Sequence, residues 1–226
     1  MRPAKILETM SEFVVGVDLG QKQDYTALCV VERAELMLDD RDPRTWQCRR
    51  ETRFEVRHLE RMKLRTPYPA VVARIREVAM DPALGERRSL VVDATGVGAP
   101  VVDLLYAAGV GCEIVPVTIT GGDGGAKASS GSSGGERRVP KRDLIVGLQV
   151  MLDLGQLQIA KGLPEAAVLL RELMGMRVRT SAAGHRSYGN GREEAHDDLV
   201  LAVALACWRA REPVRWNWFG GRPDGR

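Results

Sequence analysis

The alternation of hydrophobic and polar residues at the start of the chain predicts three antiparallel strands. Residues 13–18 are mostly apolar, and after a polar turn residues 25–32 are again rich in strand formers, which is the pattern of a hairpin. Residues 33–50 are polar and are expected to be irregular. Residues 52–59 then alternate apolar with charged side chains, as a half-exposed third strand would.

The middle of the chain predicts two strand–helix–strand units. Apolar residues recur at helical spacing over residues 67–80, and a second helical run covers residues 100–108. Residues 89–93 and 112–119 are short apolar runs typical of buried strands. Strands joined by helical crossovers run parallel, so the sequence predicts an α/β fold. Its mixed sheet has three antiparallel strands followed by parallel strands and is flanked by helices.

The second half of the chain continues the alternation of helices and strands. The predicted elements are a helix that starts around Pro140 and ends at Gly155, a strand at 156–160, a helix at 164–174, a hairpin of 176–181 with 186–188, and a helix at 195–211. The last helix is apolar nearly all round from Leu199 to Trp208, so it is expected to be buried on most sides.

The length of 226 residues is that of one domain with a sizeable core. We expect an N-terminal extension over residues 1–12, one domain over 13–211 and a C-terminal tail over 212–226. Within the domain, residues 121–135 are dominated by glycine and serine, a composition that predicts a flexible loop.

Composition and charge permit a nucleic-acid-binding protein and argue against a zinc, disulfide-linked or membrane protein. A net charge of +3 permits a nucleic-acid partner but does not by itself indicate one. The four cysteines form no C-x-x-C pair, so neither a zinc site nor a disulfide framework is expected. No signal pattern and no apolar run of about 20 residues is present, so no membrane partner is expected. We therefore expect a cytoplasmic protein.

Acidic residues interrupt the buried segments at three places. Asp18 and Asp93 each end an apolar strand, and Asp197 with Asp198 begins the apolar last helix. A buried isolated carboxylate costs several kcal/mol, so such acids need a cation, an ion-pair partner or water. Carboxylates that converge from separate elements suit Mg²⁺ or Mn²⁺, which prefer oxygen ligands. Two such ions about 3.5–4 Å apart can clamp a phosphodiester for in-line hydrolysis by water.

Each acid also has a simpler interpretation. Asp18 and Asp93 could be turn residues, and Asp197 and Asp198 could cap the last helix and complement its dipole. The separate interpretations do not explain why the acids occur together, so the set favours a metal site. The densest basic cluster comprises Arg137, Arg138, Lys141 and Arg142, and it could hold phosphates or offset charge in the transition state.

Four motifs in order resemble those of one known family. They are Val-Gly-Val-Asp18-Leu-Gly with Asp24-Tyr-Thr-Ala, Val-Val-Asp93-Ala-Thr-Gly-Val-Gly, Val-Pro-Lys141-Arg-Asp-Leu, and Ala-His196-Asp197-Asp198-Leu-Val-Leu-Ala. In order and spacing over residues 13–211 they are similar to the successive motifs of the nuclease domain of viral and prophage large terminases. The resemblance implies an RNase H-like fold and a divalent-metal-dependent endodeoxyribonuclease.

The resemblance also implies roles for particular residues. Asp18, Asp93 and Asp197 would be the principal metal ligands and catalytic residues, with Asp198 as an additional or alternative ligand. Lys141 would be catalytic, because it stands in the matching motif. The cofactors would be two Mg²⁺ or Mn²⁺ ions and the substrate double-stranded DNA, cut from viral concatemers during genome packaging in a bacterial host.

The chain departs from the family in one respect. It has no G-x-x-x-x-G-K-[ST] loop and no room for the packaging ATPase of a large terminase. Either a separated nuclease domain or a free-standing relative is expected, and a separate packaging ATPase, a portal or a small terminase would be its protein partners.

Other functions remain open from sequence. Asp18-Leu-Gly and Asp93-Ala-Thr-Gly loosely resemble the phosphate motifs of actin-like and sugar-kinase-type ATPases. A Holliday-junction resolvase or transposase of the same fold would be separated by its substrate preference. A non-catalytic DNA-binding module that kept the fold is a further alternative.

Overall fold

The computed structural model describes residues 4–20, 24–96, 98–121, 137–180, 186–190 and 196–212. Of the predicted loop at 121–135 it describes Gly121 alone, and of the predicted tail at 212–226 Glu212 alone. The remainder of both segments lies outside the described residues.

A seven-stranded mixed sheet forms the centre of the protein, with strand order β6-β5-β4-β1-β2-β3-β7. Its strands are β1 (Ile6–Asp18), β2 (Ala27–Arg41), β3 (Cys48–Arg61), β4 (Arg88–Asp93), β5 (Glu113–Thr120), β6 (Arg137–Pro140) and β7 (Leu157–Ile159). β1, β2 and β3 are antiparallel, whereas the pairs β1–β4, β4–β5, β5–β6 and β3–β7 are parallel. The predicted mixed α/β sheet is confirmed.

In the described part of the chain five α-helices flank the sheet, and a small hairpin forms a separate two-stranded sheet. The helices are α1 (Tyr68–Ala79), α2 (Gly98–Ala108), α3 (Lys141–Asp153), α4 (Ala166–Gly175) and α5 (Asp198–Ala210). The hairpin pairs β8 (Met176–Thr180) with β9 (Arg186–Asn190), as predicted. No helix in the described part of the chain is long and apolar enough to cross a membrane.

The first hairpin is much longer than the sequence pattern indicates. β1 begins at Ile6, inside the predicted extension, and the expectation that residues 33–50 are irregular is wrong over most of that range. Leu36 and Leu38 in this range are buried, and the polar residues around them form pairs such as the Arg49–Asp40 ion pair across the strands. Cross-strand pairs of this kind stabilise a strand that lacks a regular apolar alternation.

β6 is a strand that the sequence pattern does not predict. It is four residues long and begins with two arginines, so it carries no recognisable strand pattern. It exists because its backbone pairs with the edge of β5, from Val117 to Thr120. Lys141 follows it directly as the first residue of α3, so this pairing places the lysine at the edge of the sheet.

The core lies on both faces of the sheet. Alternate residues of the central strands pack on one side against α3, α4 and α5, and on the other side against α1 and α2. α5 is buried over nearly its whole length, as predicted. Gly16 of β1 allows its close approach, because a Cβ atom there would overlap the carbonyl oxygen of Ala202. This packing fixes the start of α5 beside the end of β1.

Candidate active site

The predicted site residues lie at one end of the sheet. Asp18 is the last residue of β1 and Asp93 the last of β4; these strands are parallel neighbours in which Val17 pairs with Val92. Asp197 and Asp198 stand at the start of α5, which packs on β1. Four acids from three elements therefore converge on one region.

Asp18 is the most deeply placed of these acids. Only 7% of the residue is exposed. Its pKa is raised well above the ordinary value, chiefly by burial and further by the negative charges of Asp93, Asp198 and Asp197, while Lys141 opposes the shift. The carboxylate of Asp18 thus lies within electrostatic reach of every residue predicted for the site, and its ionised form is disfavoured without a cation.

Lys141 and Asp197 form an ion pair. The ammonium Nζ of Lys141 donates a hydrogen bond of 2.7 Å to Oδ2 of Asp197. Asp197 occupies the N-cap position of α5, but its side chain makes no capping hydrogen bond. The interpretation of Asp197 as a simple helix cap therefore does not hold, because its carboxylate faces the lysine.

Asp93 takes part in a turn at the end of β4. Oδ1 of Asp93 accepts hydrogen bonds from the amide of Thr95, at 2.8 Å, and from the Thr95 hydroxyl. The Thr95 hydroxyl oxygen in turn accepts from the amide of Ile119 at 2.9 Å. The turn interpretation is thus correct for Asp93, and these bonds hold its carboxylate at the end of β4 beside Asp18.

Asp198 is buried with an incompletely satisfied carboxylate. The residue is 5% exposed, and among the described residues Oδ2 has no hydrogen-bond partner. Oδ2 lies 3.7 Å from Nη2 of Arg61 and 3.6 Å from Nδ1 of His196. Burial raises the pKa of Asp198 to about 6, an effect that Arg61 and His196 partly offset. A buried carboxylate oxygen without a hydrogen-bond partner is suited to bind a cation.

Arg61, Glu172 and Tyr25 support this region and were not predicted as site residues. Arg61 donates to the buried carboxylate of Glu172, and its guanidinium lies 4.7 Å from the centre of the Tyr25 ring. Glu172 also accepts from the amide of Val200, at 3.1 Å. Burial raises the pKa of Glu172 to about 7. The sequence signal that could have identified Glu172 is an acid next to the apolar positions of α4.

A tight group of ligand atoms lies next to the predicted site. Asp24, His196 and Asp198 each offer one ligand atom, and these atoms all lie within 4.8 Å of one another. Neither Asp24 nor His196 was predicted as a ligand. The Tyr25 ring packs edge-on against His196 with ring centres 4.9 Å apart, which orients the imidazole. Carboxylate oxygens and one imidazole nitrogen form a donor set that suits a divalent metal.

No protein-family model matches this chain, and no curated protein matches it. Several solved structures are similar to this chain. The large terminase nuclease of the thermophilic phage G20c with bound magnesium is 26% identical, with 90% of this chain and 86% of that chain covered and a TM-score of 0.57. The large terminase nuclease domain of a Thermus phage is 23% identical, with coverage of 91% and 85% and a TM-score of 0.54.

A more distant structure has the same architecture. A mutant nuclease domain of the large terminase subunit of bacterial virus Sf6, with manganese and beta-thujaplicinol, is 12% identical, with coverage of 90% and 89% and a TM-score of 0.55. These likenesses confirm the expected RNase H-like architecture, and with it the resemblance to the large-terminase nuclease domain.

Proposed function

We propose that this protein is a divalent-metal-dependent endonuclease that hydrolyses phosphodiester bonds in double-stranded DNA. The observation that carries the proposal is the buried Asp18, which ends β1 beside Asp93. The charges of Asp197, Asp198 and Lys141 all act on its carboxylate. Carboxylates gathered at a buried sheet end repel one another unless a cation neutralises them. A cluster of mutually repelling carboxylates does not stabilise the fold by itself, so the cluster supports a metal-binding role.

In this proposal Asp18, Asp93 and Asp197 are the principal metal ligands, with Asp198 as an additional one. Two Mg²⁺ or Mn²⁺ ions held there would supply an activated water and neutralise the charge that develops on the leaving oxygen. The magnesium and manganese named for the similar terminase nucleases support this choice of ions.

The protein's own residues position the ligands and the DNA. The backbones of Asp18 and Asp93 are paired with neighbouring strands, and Thr95 holds the Asp93 carboxylate. The ammonium of Lys141 has three donor hydrogens and donates one of them to Asp197. The others can donate to a phosphate oxygen. A fixed positive charge there would stabilise the extra negative charge of the transition state.

Arg61 and Glu172 act as positioning residues in this proposal. Their ion pair joins the end of β3 to α4, and Glu172 accepts from the third residue of α5, at Val200. The start of α5, next to Asp197 and Asp198, is therefore linked through Glu172 of α4 to the end of β3.

The likeness to terminase nucleases supports a proposal for the biological role. We propose that the protein cuts concatemeric viral DNA during genome packaging. A separate packaging ATPase, a portal or a small terminase would then be its partners. The support for this role is the fold shared with nucleases of large terminases over about nine tenths of the chain.

The decisive experiment is a cleavage assay. Supercoiled plasmid, linear duplex and a four-way junction are incubated with the protein in Mn²⁺, Mg²⁺ or EDTA. We expect nicking and linearisation of plasmid with either metal and none in EDTA. Asp18→Asn should abolish cutting, whereas Asp103→Asn, an exposed acid in the middle of α2, should not. Cutting in EDTA, or full activity of Asp18→Asn, would overturn the proposal, and a strong preference for the junction would favour the resolvase alternative.

A further inference from the structure

A cavity of about 530 Å³ opens next to the proposed active site. It lies between the turn that joins β1 to β2 and the connection from β3 to α1. Gly20, Asp24 and Thr26 line it on the β1–β2 side, and Lys63, Arg65 and Thr66 line it on the other side. None of its basic residues belongs to the site described above.

Hydrogen bonds join the walls of the cavity to the catalytic end of the sheet. The amide of Gly20, two residues beyond Asp18, donates to the Thr26 hydroxyl oxygen at 3.1 Å. The carbonyl oxygen of Thr26 accepts from the amide of Met62 at 2.9 Å, which ties the β1–β2 turn to the end of β3. Asp24 lines the cavity and also belongs to the group of ligand atoms with His196 and Asp198. A ligand in the cavity would thus lie adjacent to the metal-binding carboxylates.

The cavity presents two positive charges that no described residue neutralises. Lys63 and Arg65 are exposed, and in the described part of the chain neither side chain has a hydrogen-bond or ion-pair partner. Many other arginines are paired, as Arg57 is with Glu32 and Arg74 with Glu60. Among the described residues that line the cavity, Asp24 is the one acid. The free charges therefore favour an anionic ligand.

The backbone that carries these cations is held in an unusual conformation. Arg65 has a φ of 63°, in the left-handed region that non-glycine residues rarely adopt. Thr66 stabilises this turn, because its hydroxyl donates to the carbonyl oxygen of Lys63 at 2.6 Å. α1 begins immediately afterwards with no side-chain cap and no acid in its first turn. The positive end of its dipole adds to the attraction for an anion.

We propose that this cavity binds the phosphate backbone of the DNA strand next to the scissile phosphate, with Lys63 and Arg65 as the contacts. The inference rests on the proposed function, which brings DNA across the neighbouring carboxylates. Phosphate contacts of this kind set the position of the duplex and carry no sequence information. The cavity is therefore a positioning site that works on any DNA sequence.

Binding of a fluorescent duplex in EDTA at several salt concentrations tests the proposal. The variant Lys63→Ala/Arg65→Ala should bind roughly tenfold more weakly, and its salt slope should fall by about 1.8 because about 0.9 is lost for each phosphate contact. Lys63→Arg/Arg65→Lys keeps both charges and should bind like the wild type. Lys5→Ala/Arg44→Ala removes two exposed cations at the other end of the sheet and should also bind normally.

Unchanged affinity and salt slope in Lys63→Ala/Arg65→Ala would overturn the proposal. A loss of the Mn²⁺-induced rise in melting temperature would also overturn it, since the cations would then support the structure of the metal site. Cleavage by the wild type is scored separately. If the wild type cuts DNA and the variant binds normally, only the cavity is refuted. If the variant loses affinity but the wild type never cuts, the cavity stands and the nuclease proposal fails.

Discussion

Replacing Asp198 with asparagine should make the metal-free protein more stable at neutral pH. Burial raises the pKa of Asp198 from 3.8 to about 6, so the folded protein disfavours the ionised carboxylate that the unfolded chain accepts. One pKa unit corresponds to about 1.4 kcal/mol, so the ionised group costs about 3 kcal/mol above pH 6. Asparagine has nearly the same shape without the charge.

The sign of the effect sets its pH dependence. Because the pKa of Asp198 is higher in the folded state, the folded protein binds more protons than the unfolded chain between pH 3.8 and about 6. The free energy of unfolding of the wild type therefore falls as the pH rises through that window and is constant above it. The advantage of Asp198→Asn should be about 1 kcal/mol at pH 4.5 and about 3 kcal/mol at pH 7.5. Asp18 loses a negative neighbour in the variant, which acts in the same direction.

Thermal unfolding in EDTA at the two pH values measures this difference. For a chain of this size 1 kcal/mol shifts the melting temperature by about 2–4 °C, so the gain of the variant should grow by about 4–8 °C from pH 4.5 to pH 7.5. Mn²⁺ at pH 7.5 should stabilise the wild type more than the variant. Asp103→Asn, exposed on α2, should show little change at either pH. A variant advantage that stays constant with pH would refute the claim that Asp198 is ionised at a cost in the folded protein.

Three further predictions concern the lysine, the packing of α5 and the alternative ATPase function. Lys141→Ala should slow cleavage by about 10–100-fold in Mn²⁺ while the metal-induced rise in melting temperature remains, because lysine is not a ligand at neutral pH; loss of that rise would place Lys141 in the metal site itself. Gly16→Ala should destabilise the protein by about 1–3 kcal/mol in thermal unfolding, since the new Cβ overlaps the carbonyl oxygen of Ala202, whereas Gly121→Ala meets open space and should be neutral. Equal melting temperatures of the two glycine variants would contradict the close packing of α5 on β1. ATP should be neither required for cleavage nor hydrolysed, and turnover of ATP without DNA would favour the actin-like alternative.

Local sequence patterns were enough to predict most elements and the class of fold. The helical spacing of apolar residues predicted α1 and α3 nearly to their ends, and the unbroken apolar surface of α5 predicted its burial. The alternation of strands and helices after the first three strands predicted the parallel half of the sheet. These features depend on which face of a segment meets the core, and that information is local.

The sequence also indicated where the chemistry would lie, since Asp18, Asp93 and the pair at the start of α5 each interrupt an apolar segment. The structure brings Asp18 into reach of the others and joins Asp197 to Lys141. Their roles as metal ligands and catalytic residues remain predictions. Sequence alone could not separate a cap from a ligand, because both use an acid at a helix start.

Only the tertiary structure decided which distant residues support that site. Arg61 and Glu172 are 111 residues apart, and neither belongs to a motif. Asp24 approaches His196 and Asp198 because the β1–β2 turn and the start of α5 lie at the same end of the sheet. β6 became a strand only through its pairing with β5. Such contacts depend on backbone pairing and on the desolvation of charges between remote segments, and no local pattern of apolar and polar residues encodes either.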